Sequence, residues 1–421
     1  MLNSKNEREL CYLVYVDDIT PMNADKLECA HVGGWNCVVG KGEFKKGDIA
    51  VYFEIDSKVP EVEPFTSMEF LASKHFKIKS QKIRGVVSQG LLMPIGAFGF
   101  YRIETDLGPT VLDKNDPHAA YYPDSKCDDR KFLTQRLGVT YAVFEDNARK
   151  ASSDDKYKKM AQRHPKLARK KWWRWMIKRN WGKKVLFFFF GKKRKTDNKD
   201  WPDGKFPGVR RTDQERAENM TWVLNDKTPF IRTQKCDGSS ATYILARKGR
   251  KFEFYVCSRN IRMLKPNQTC FFGKDNYYWD AAIKYNIEER MKSYLRDNPK
   301  LTFVCWQGEL CAPNIQKNPH NLTNLHLFCF HWTDDTGRWD IRKAEKKWVE
   351  MGMEVVPIDD DLYIMPDDFE EFKASADGYY ASYVCEGKSN CPREGYVYYK
   401  TTDPNFSFKN VSREYLLKRK E

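Results

Sequence analysis

Thr233-Gln234-Lys235-Cys236-Asp237-Gly238-Ser239-Ser240 lies between two β-rich runs, Phe230-Ile231-Arg232 ahead of it and a strand beginning at Ala241 behind it. The octapeptide therefore reads as a tight loop joining two strands, with Asp237-Gly238 supplying the sharp turn. A lysine on such a loop is held where its amine can reach a substrate, and the aspartate two residues on is placed near any bound cation. For the amine to act as a nucleophile it must lose its proton, so Lys235 is expected in a cationic or desolvated neighbourhood.

Working outward, further charged residues fall at predicted strand ends. Arg259 follows the second strand after the loop, Glu309 ends another at Gln307-Gly308-Glu309-Leu310, Glu394 precedes the strand from Tyr396, and Lys409 lies near the C-terminus. Two acids and two cations around a loop lysine are what nucleotidyl transfer needs: carboxylates for a divalent cation, positive charge for a triphosphate. The predicted strands Ala241–Ala246, Lys251–Cys257, Leu301–Glu309, His326–Trp332 and Tyr396–Lys400 are mixed with helices. One helix would line up Ile283, Ile287, Met291 and Leu295, and another runs from Ile341 to Met351 and stops at Gly352. The pattern is α+β, without regular βαβ alternation or internal repeats.

This ordered set resembles the covalent nucleotidyltransferases, a superfamily of polynucleotide ligases and mRNA capping enzymes. Within it, Gly308-Glu309-Leu310 followed by Pro313-Asn314-Ile315-Gln316-Lys317-Asn318, and then Glu394-Gly395-Tyr396-Val397, is similar to the motifs of ATP-dependent RNA ligases. Phe206-Pro207, Thr212-Asp213-Gln214-Glu215-Arg216 and Asn219 resemble a stretch ahead of the lysine in the branch that carries an N-terminal OB domain. The resemblance spans about 9–100 and 205–420. It implies that Lys235 becomes a lysyl-AMP and that Asp237, Glu309 and Glu394 hold Mg²⁺ (or Mn²⁺) and its waters. It further implies that Arg259 meets ribose or the nick, Phe330 stacks on adenine and Lys409 contacts the α-phosphate. Thr233 and Gln234 count among the nucleotide-binding residues, and Tyr396 is a candidate pocket wall. Two departures stand out: Ser407 replaces the first lysine of the usual K-x-K, with Lys400 a candidate substitute in space, and His331 stands where an aspartate is common.

The first hundred residues read as short strands. Gly33-Gly34 marks a hairpin between Leu27–Val32 and Trp35–Val39, Phe76–Ile83 alternates apolar and basic residues, and Ser88–Pro94 closes the set. A small barrel of the OB type is expected, although strand count alone does not separate it from an SH3-like barrel. The expected organisation is an OB-type barrel over 1–105, a connector with a basic, aromatic-rich helical segment over 106–200, and an ATP-grasp-like nucleotidyltransferase domain of antiparallel sheets and helices over 201–421.

Charge is concentrated in one place. Residues 149–195 hold 19 Lys and Arg against Asp154 and Asp155, whereas the rest of the chain holds 54 basic and 56 acidic residues, so the net +15 belongs to that segment. Such a patch suits a polyanion, and RNA contact is one reading. Packing of a Trp172/Trp175/Met176 stripe on a neighbouring domain, or an interfacial membrane helix, are the others. The 12 cysteines contain no C-x-x-C and are read as reduced thiols, with Cys385 and Cys391 the one candidate pair or metal site. No secretory leader or membrane-length apolar run is seen, which suggests a soluble, cytoplasmic protein, and a monomer is expected.

The expected function is ATP-dependent sealing of 3′-OH/5′-phosphate RNA breaks, most naturally nicks in duplex RNA. A capping-type guanylyltransferase or a DNA ligase would carry its OB domain after the catalytic domain, and only twelve residues follow Lys409. A non-catalytic RNA-binding protein on a degenerate ligase fold is the remaining alternative.

Overall fold

The computed structural model describes residues 1–5, 7–123, 129–141, 170–177, 179, 186, 199–263, 276–386 and 390–418. Its N-terminal strands are β1 (Cys11–Tyr15), β2 (Asp18–Pro21), β3 (Leu27–Val32), β4 (Trp35–Gly40), β5 (Ile49–Phe53), β6 (Ser57–Lys58), β7 (Gln81–Ile83), β8 (Val86–Ser88) and β9 (Leu91–Pro94). Strand β5 is buried along its whole length because it is covered on both faces. Ile49, Val51 and Phe53 enter one apolar cluster with Leu13 and Met93, while Ala50 and Tyr52 enter the other with Trp35 and Leu92. The hairpin at Gly33-Gly34 forms as read, with Val32 opposite Trp35. The expected strand over Phe76–Ile83 shrinks to β7. Among the described residues the strands form separate ladders, β1-β5-β9, β2-β3-β4 and β7-β8, and not one closed barrel.

Residues 106–141 differ from the expected connector. After β10 (Phe100–Thr105) the chain adds β11 (Gly108–Asp113) and β12 (Asp116–Tyr121), and β13 (Thr140–Tyr141) returns to pair with β6. Phe100, Val111, Leu133 and Val139 fill the same cluster as Val51 and Phe53. Of the basic segment 149–195, only 170–177, 179 and 186 lie within the described residues, so the RNA-contact reading of that segment falls largely outside them. The helix Lys171–Ile177 within it buries Trp173 and leaves Trp172 and Trp175 exposed, the reverse of the expected packing stripe.

The C-terminal part is built from two sheets. The larger follows the order β14 (Lys199–Asp200), β19 (Ile261–Met263), β18 (Lys251–Ser258), β17 (Ser239–Lys248), β20 (Phe303–Cys311), β21 (His326–Asp334) and β22 (Gly337–Arg338), with β23 (Glu354–Val355) also on β21. The smaller follows β15 (Glu215–Arg216), β26 (Asp403–Val411), β25 (Gly395–Lys400), β16 (Phe230–Gln234) and β24 (Ile358–Tyr363). The single helix expected through Ile283 is broken. Asn286, at φ 48°, separates Tyr277–Lys284 from Ile287–Asp297, and Ile283 ends on the first helix, exposed to solvent. Ile287, Met291 and Leu295 keep their i+4 register and face the core. The helix Ile341–Glu350 forms and ends ahead of Gly352, at φ 64°.

Cys385 and Cys391, the one candidate pair in the sequence, form a disulfide, while eight other described cysteines are free and buried, as read. No helix among the described residues is long and apolar enough to cross a membrane.

Candidate active site

Strand register assembles the site. Antiparallel β16 and β25 set Gln234 opposite Tyr396, and the Lys235 N–H donates to the Gly395 carbonyl at 2.9 Å, so Glu394 arrives beside Lys235. On the other side of the loop, β17 runs along β20 with Ser240 opposite Glu309. Strand β26 sets Lys409 opposite Val397, and the parallel β15 sets Arg216 opposite Lys409. The lysine loop is thus the crossing point from the smaller sheet to the larger, and a cleft of about 490 Å³ opens between them. Thr233, Gln234, Lys235, Asp237, Arg259, Glu309, Phe330, Glu394 and Lys409, the catalytic, nucleotide-binding and metal candidates from the sequence, all line this cleft.

Two glycines let the strands close in. A Cβ at Gly238 would lie 2.3 Å from the Leu310 carbonyl oxygen, and one at Gly395, where φ is 146°, would lie 2.1 Å from that of Asn410. The loop is then clamped by named partners. The Asp237 N–H donates to His320 Nε2 at 3.1 Å, and the other ring nitrogen, Nδ1, faces the Val384 carbonyl oxygen at 3.1 Å, which fixes the proton on Nδ1. Burial lowers His320 to about 4, so the ring stays neutral and can accept that bond. Tyr380 donates its hydroxyl to the Lys235 carbonyl oxygen at 2.9 Å and accepts from the Glu394 N–H at 3.1 Å. Tyr415 donates to Asp237 Oδ2 at 2.6 Å.

At one end of the cleft Lys235 Nζ lies 2.7 Å from Glu394 Oε2. Burial works against the ammonium, but Glu394, Glu309 and Asp237 outweigh it and raise Lys235 to about 12. The expected cationic or merely desolvated surroundings are therefore absent: the carboxylates keep the amine protonated. Burial, reinforced by Glu394 and Asp237 and opposed by Lys235, lifts Glu309 to about 8. This is a carboxylate set short of positive charge, and a divalent cation fits that deficit. Among the described residues, no three His, Cys, Asp or Glu are gathered into a direct metal cage. That suits a hard cation held by one or two carboxylates, waters and substrate phosphate better than a three-acid cage.

At the other end the balance reverses. Lys409 Nζ is 2.8 Å from Asp213 Oδ1, Arg8 Nε is 3.1 Å from Asp213 Oδ2, and Arg259 also pairs with Oδ2. Burial and the guanidinium of Arg8 push the Lys409 amine below its ordinary value, against the pull of Asp213. The same cations hold Asp213 well below the carboxylate range in spite of its burial. Asp213 and Arg8 received no role from the sequence. Arg8 shows no motif, and the only signal for Asp213 was its place in the stretch ahead of the lysine.

Several candidates are used otherwise than expected. Gln234 reaches the cleft, yet its side chain is committed to Asp359 and the Ala381 N–H. Tyr396 is no cleft wall; its hydroxyl donates to Asp359 at 2.7 Å. Lys400 does not replace a cation at Ser407, because it pairs with Asp226 at 2.6 Å. Arg216 lines the cleft instead. His331 lies behind Phe330, with its ring edge-on to it and Nδ1 3.2 Å from Gln307 Oε1.

The comparisons agree with this architecture. Residues 11–95 match a family model described as an OB-fold domain, and 228–415 match one described as RNA ligase. No curated protein matches. Among solved structures, an RNA ligase of Naegleria gruberi with PPi is similar at 24% identity and a TM-score of 0.64, over 97% of this chain and 98% of that one. A point variant of the same ligase, solved with ATP and Mn, is similar at 25% identity and a TM-score of 0.63, over the same shares of the two chains. Two sheets meeting at a lysine loop, behind an OB-fold domain, define a nucleotidyltransferase of the ligase type. The chain carries an OB-fold domain ahead of an RNA ligase domain.

Proposed function

We propose that this ligase seals 3′-OH/5′-phosphate breaks, with nicks in duplex RNA as its substrate, through an AMP carried on Lys235. The observation that supports this reading is the convergence of Lys235, Glu309, Glu394, Arg259 and Lys409 on one cleft by strand register. Lys235 Nζ attacks the α-phosphorus of ATP and pyrophosphate leaves. AMP then passes to the RNA 5′-phosphate, and the 3′-OH displaces it. Asp237, Glu309 and Glu394 are the residues to hold Mg²⁺ or Mn²⁺, directly or through water. When bound, that cation neutralises the triphosphate and withdraws the carboxylate charge that keeps Lys235 protonated. Lys409 and Arg259 bring positive charge to the phosphate and ribose, Phe330 offers its face to adenine, and Thr233 lines the same pocket. The ATP and Mn seen with the Naegleria ligase support the choice of nucleotide and metal. The OB-fold domain, together with the basic segment 149–195, is the RNA-binding partner of the ligase domain, and the enzyme acts as a monomer.

The test is the intact mass of the protein after incubation with ATP and Mg²⁺, beside Lys235→Ala. The expected result is one AMP on the wild type and none on the variant, followed by sealing of a nicked RNA duplex in preference to single strands. No added mass on the wild type would sink the catalytic reading. Labelling by GTP alone would replace it with a guanylyltransferase.

A further inference from the structure

One buried carboxylate sits among the cations of the cleft. The Asp213 side chain is 5% exposed, and it pairs with three cations from three separate parts of the molecule. Arg259 follows β18 of the larger sheet, Lys409 lies on β26 of the smaller sheet, and Arg8 comes from the chain ahead of β1. Arg8 is itself held by further partners: its Nη1 lies 2.7 Å from the fully buried Glu54, and its Nη2 donates to the Gln214 carbonyl oxygen at 3.1 Å. Glu54 also meets Arg216 at 3.2 Å, and Arg216 meets Asp56 at 3.1 Å. The ion-pair chain therefore runs from Lys409 through Asp213, Arg8 and Glu54 to Arg216 and the cleft-lining Asp56.

Without a counter-ion, Lys409 and Arg259 would repel each other across the gap between the sheets, and Asp213 is the carboxylate they share. With Arg8 also answered by Glu54, Asp213 still faces both Lys409 and Arg259, so this corner of the cleft is not fully neutralised.

We propose that Asp213 is a positioning residue for nucleotidyl transfer: it gathers Lys409 and Arg259 from opposite sheets to one point of the cleft, and Arg8 of the N-terminal region anchors it there. This rests on the reading of the cleft as the site of AMP transfer to Lys235. Asp213 touches no reacting atom. Its contribution is geometric, and it makes the N-terminal region part of the machinery of the first step as well as of RNA binding. Misplacement of a positioned charge by about an ångström is enough to lower a rate by orders of magnitude.

The experiment is single-turnover AMP addition to the full chain, followed by mass against ATP concentration, for wild type, Asp213→Asn, Asp213→Glu and Lys409→Met. For Asp213→Asn we expect the limiting rate to fall about tenfold or more while half-saturating ATP moves less than about threefold, the signature of a loss felt in the transition state. Asp213→Glu should regain part of the rate. In a Lys409→Met background, Asp213→Asn should add little further loss, because the two act as a unit. A limiting rate equal to wild type, or fully multiplicative losses in the double variant, overturns the proposal. Should Asp213→Asn fail to fold, Arg8→Gln carries the test: a drop of a few-fold in limiting rate supports the proposal, and an unchanged rate overturns it. A wild type that labels while the variants behave as wild type sinks only this inference; a wild type that never takes up AMP sinks the underlying reading too.

Discussion

The two ends of the cleft are electrostatic opposites. At one end a single amine, Lys235, is surrounded by Asp237, Glu309 and Glu394; at the other a single carboxylate, Asp213, is surrounded by Arg8, Arg259 and Lys409. Each end is in surplus, negative in the first and positive in the second, and each carries an internal counter-ion of the opposite sign. A metal–nucleotide complex has the matching polarity, a divalent cation beside a polyanion. On the proposed reading, the free cleft already carries the polarity of a metal–nucleotide complex, with Lys235 at the place of the cation and the cations gathered by Asp213 at the place of the phosphate. Binding then meets charges that are already in position and need not create new charged surface, which limits the desolvation cost of filling a buried site.

Removing a charge from the acidic end should have the largest effect. Glu309→Gln is isosteric and keeps an acceptor for the Gly238 N–H, which reaches Glu309 Oε1 at 3.2 Å. It deletes a negative charge that the metal needs, so AMP transfer at saturating ATP and Mg²⁺ should fall by about a hundredfold or more. The pH dependence of stability sharpens the point. The folded protein holds a proton on Glu309 up to about 8, whereas the unfolded chain releases it near 4.5. Folding therefore binds more protons in that window, and metal-free stability conferred by this group is full below the lower value and lost as pH rises through the upper one. The melting temperature of the wild type in chelator should drop, relative to Glu309→Gln, as pH is raised across the window. Parallel curves would show that the carboxylate is already compensated and that the acidic end is not in surplus.

A smaller effect is expected where the acidic end meets the C-terminal helix Arg413–Lys418. Tyr415→Phe removes only the hydroxyl that donates to Asp237. A hydrogen bond to a charged group contributes about 1.5–3 kcal/mol, so a loss near tenfold in AMP transfer is expected, with the lysine loop otherwise in place. Wild-type rates would mean that the orientation of Asp237 does not matter to the chemistry.

How much of this contrast was legible beforehand depends on the distance over which it is built. Lys235, Glu309, Glu394 and Lys409 could be read because each sits at a strand end and antiparallel register does the rest, so local pattern implies position. The pairing of Arg8 with Asp213 spans 205 residues and depends on how the N-terminal region docks, which no local periodicity encodes. Trp35 and Tyr12 both hydrogen-bond Asn219 at that junction, and the Gly34 N–H meets the Glu218 carbonyl at 2.7 Å. These contacts are invisible until both parts are folded. Residues 106–141 looked like a connector because their strands are short and largely polar, with apolar side chains as sparse as Val111, Leu133 and Val139 reaching the core. The break at Asn286 was missed because i+4 spacing continues through it, although the left-handed residue there redirects the chain and turns Ile283 outward. The protonated state of Lys235 was misjudged for a related reason. Sequence order shows that acids are present, but not that three of them converge on one amine.

The smallest effect is expected at Lys400, and it tests the basic end. The chain has Ser407 where a second lysine is usual, and Ser407 lies two residues from Lys409 on the same strand. If the phosphate site needed another lysine, Lys400 would be the nearest candidate in sequence. Its amine is instead 2.6 Å from Asp226 Oδ2, part of a partly exposed pair that holds Asp226 down to about 2. Lys400→Met should therefore cost no more than about 1 kcal/mol of stability, as expected for an ion pair near the surface. It should leave AMP transfer within roughly twofold of wild type, since no cation of the cleft is removed. The positive charge missing at Ser407 is on this view already supplied by Arg216, which lines the cleft and is tied into the same Glu54 network as Arg8. A fall comparable to that of Lys409→Met would place Lys400 on the phosphate after all, and would mean that Arg216 serves the fold alone.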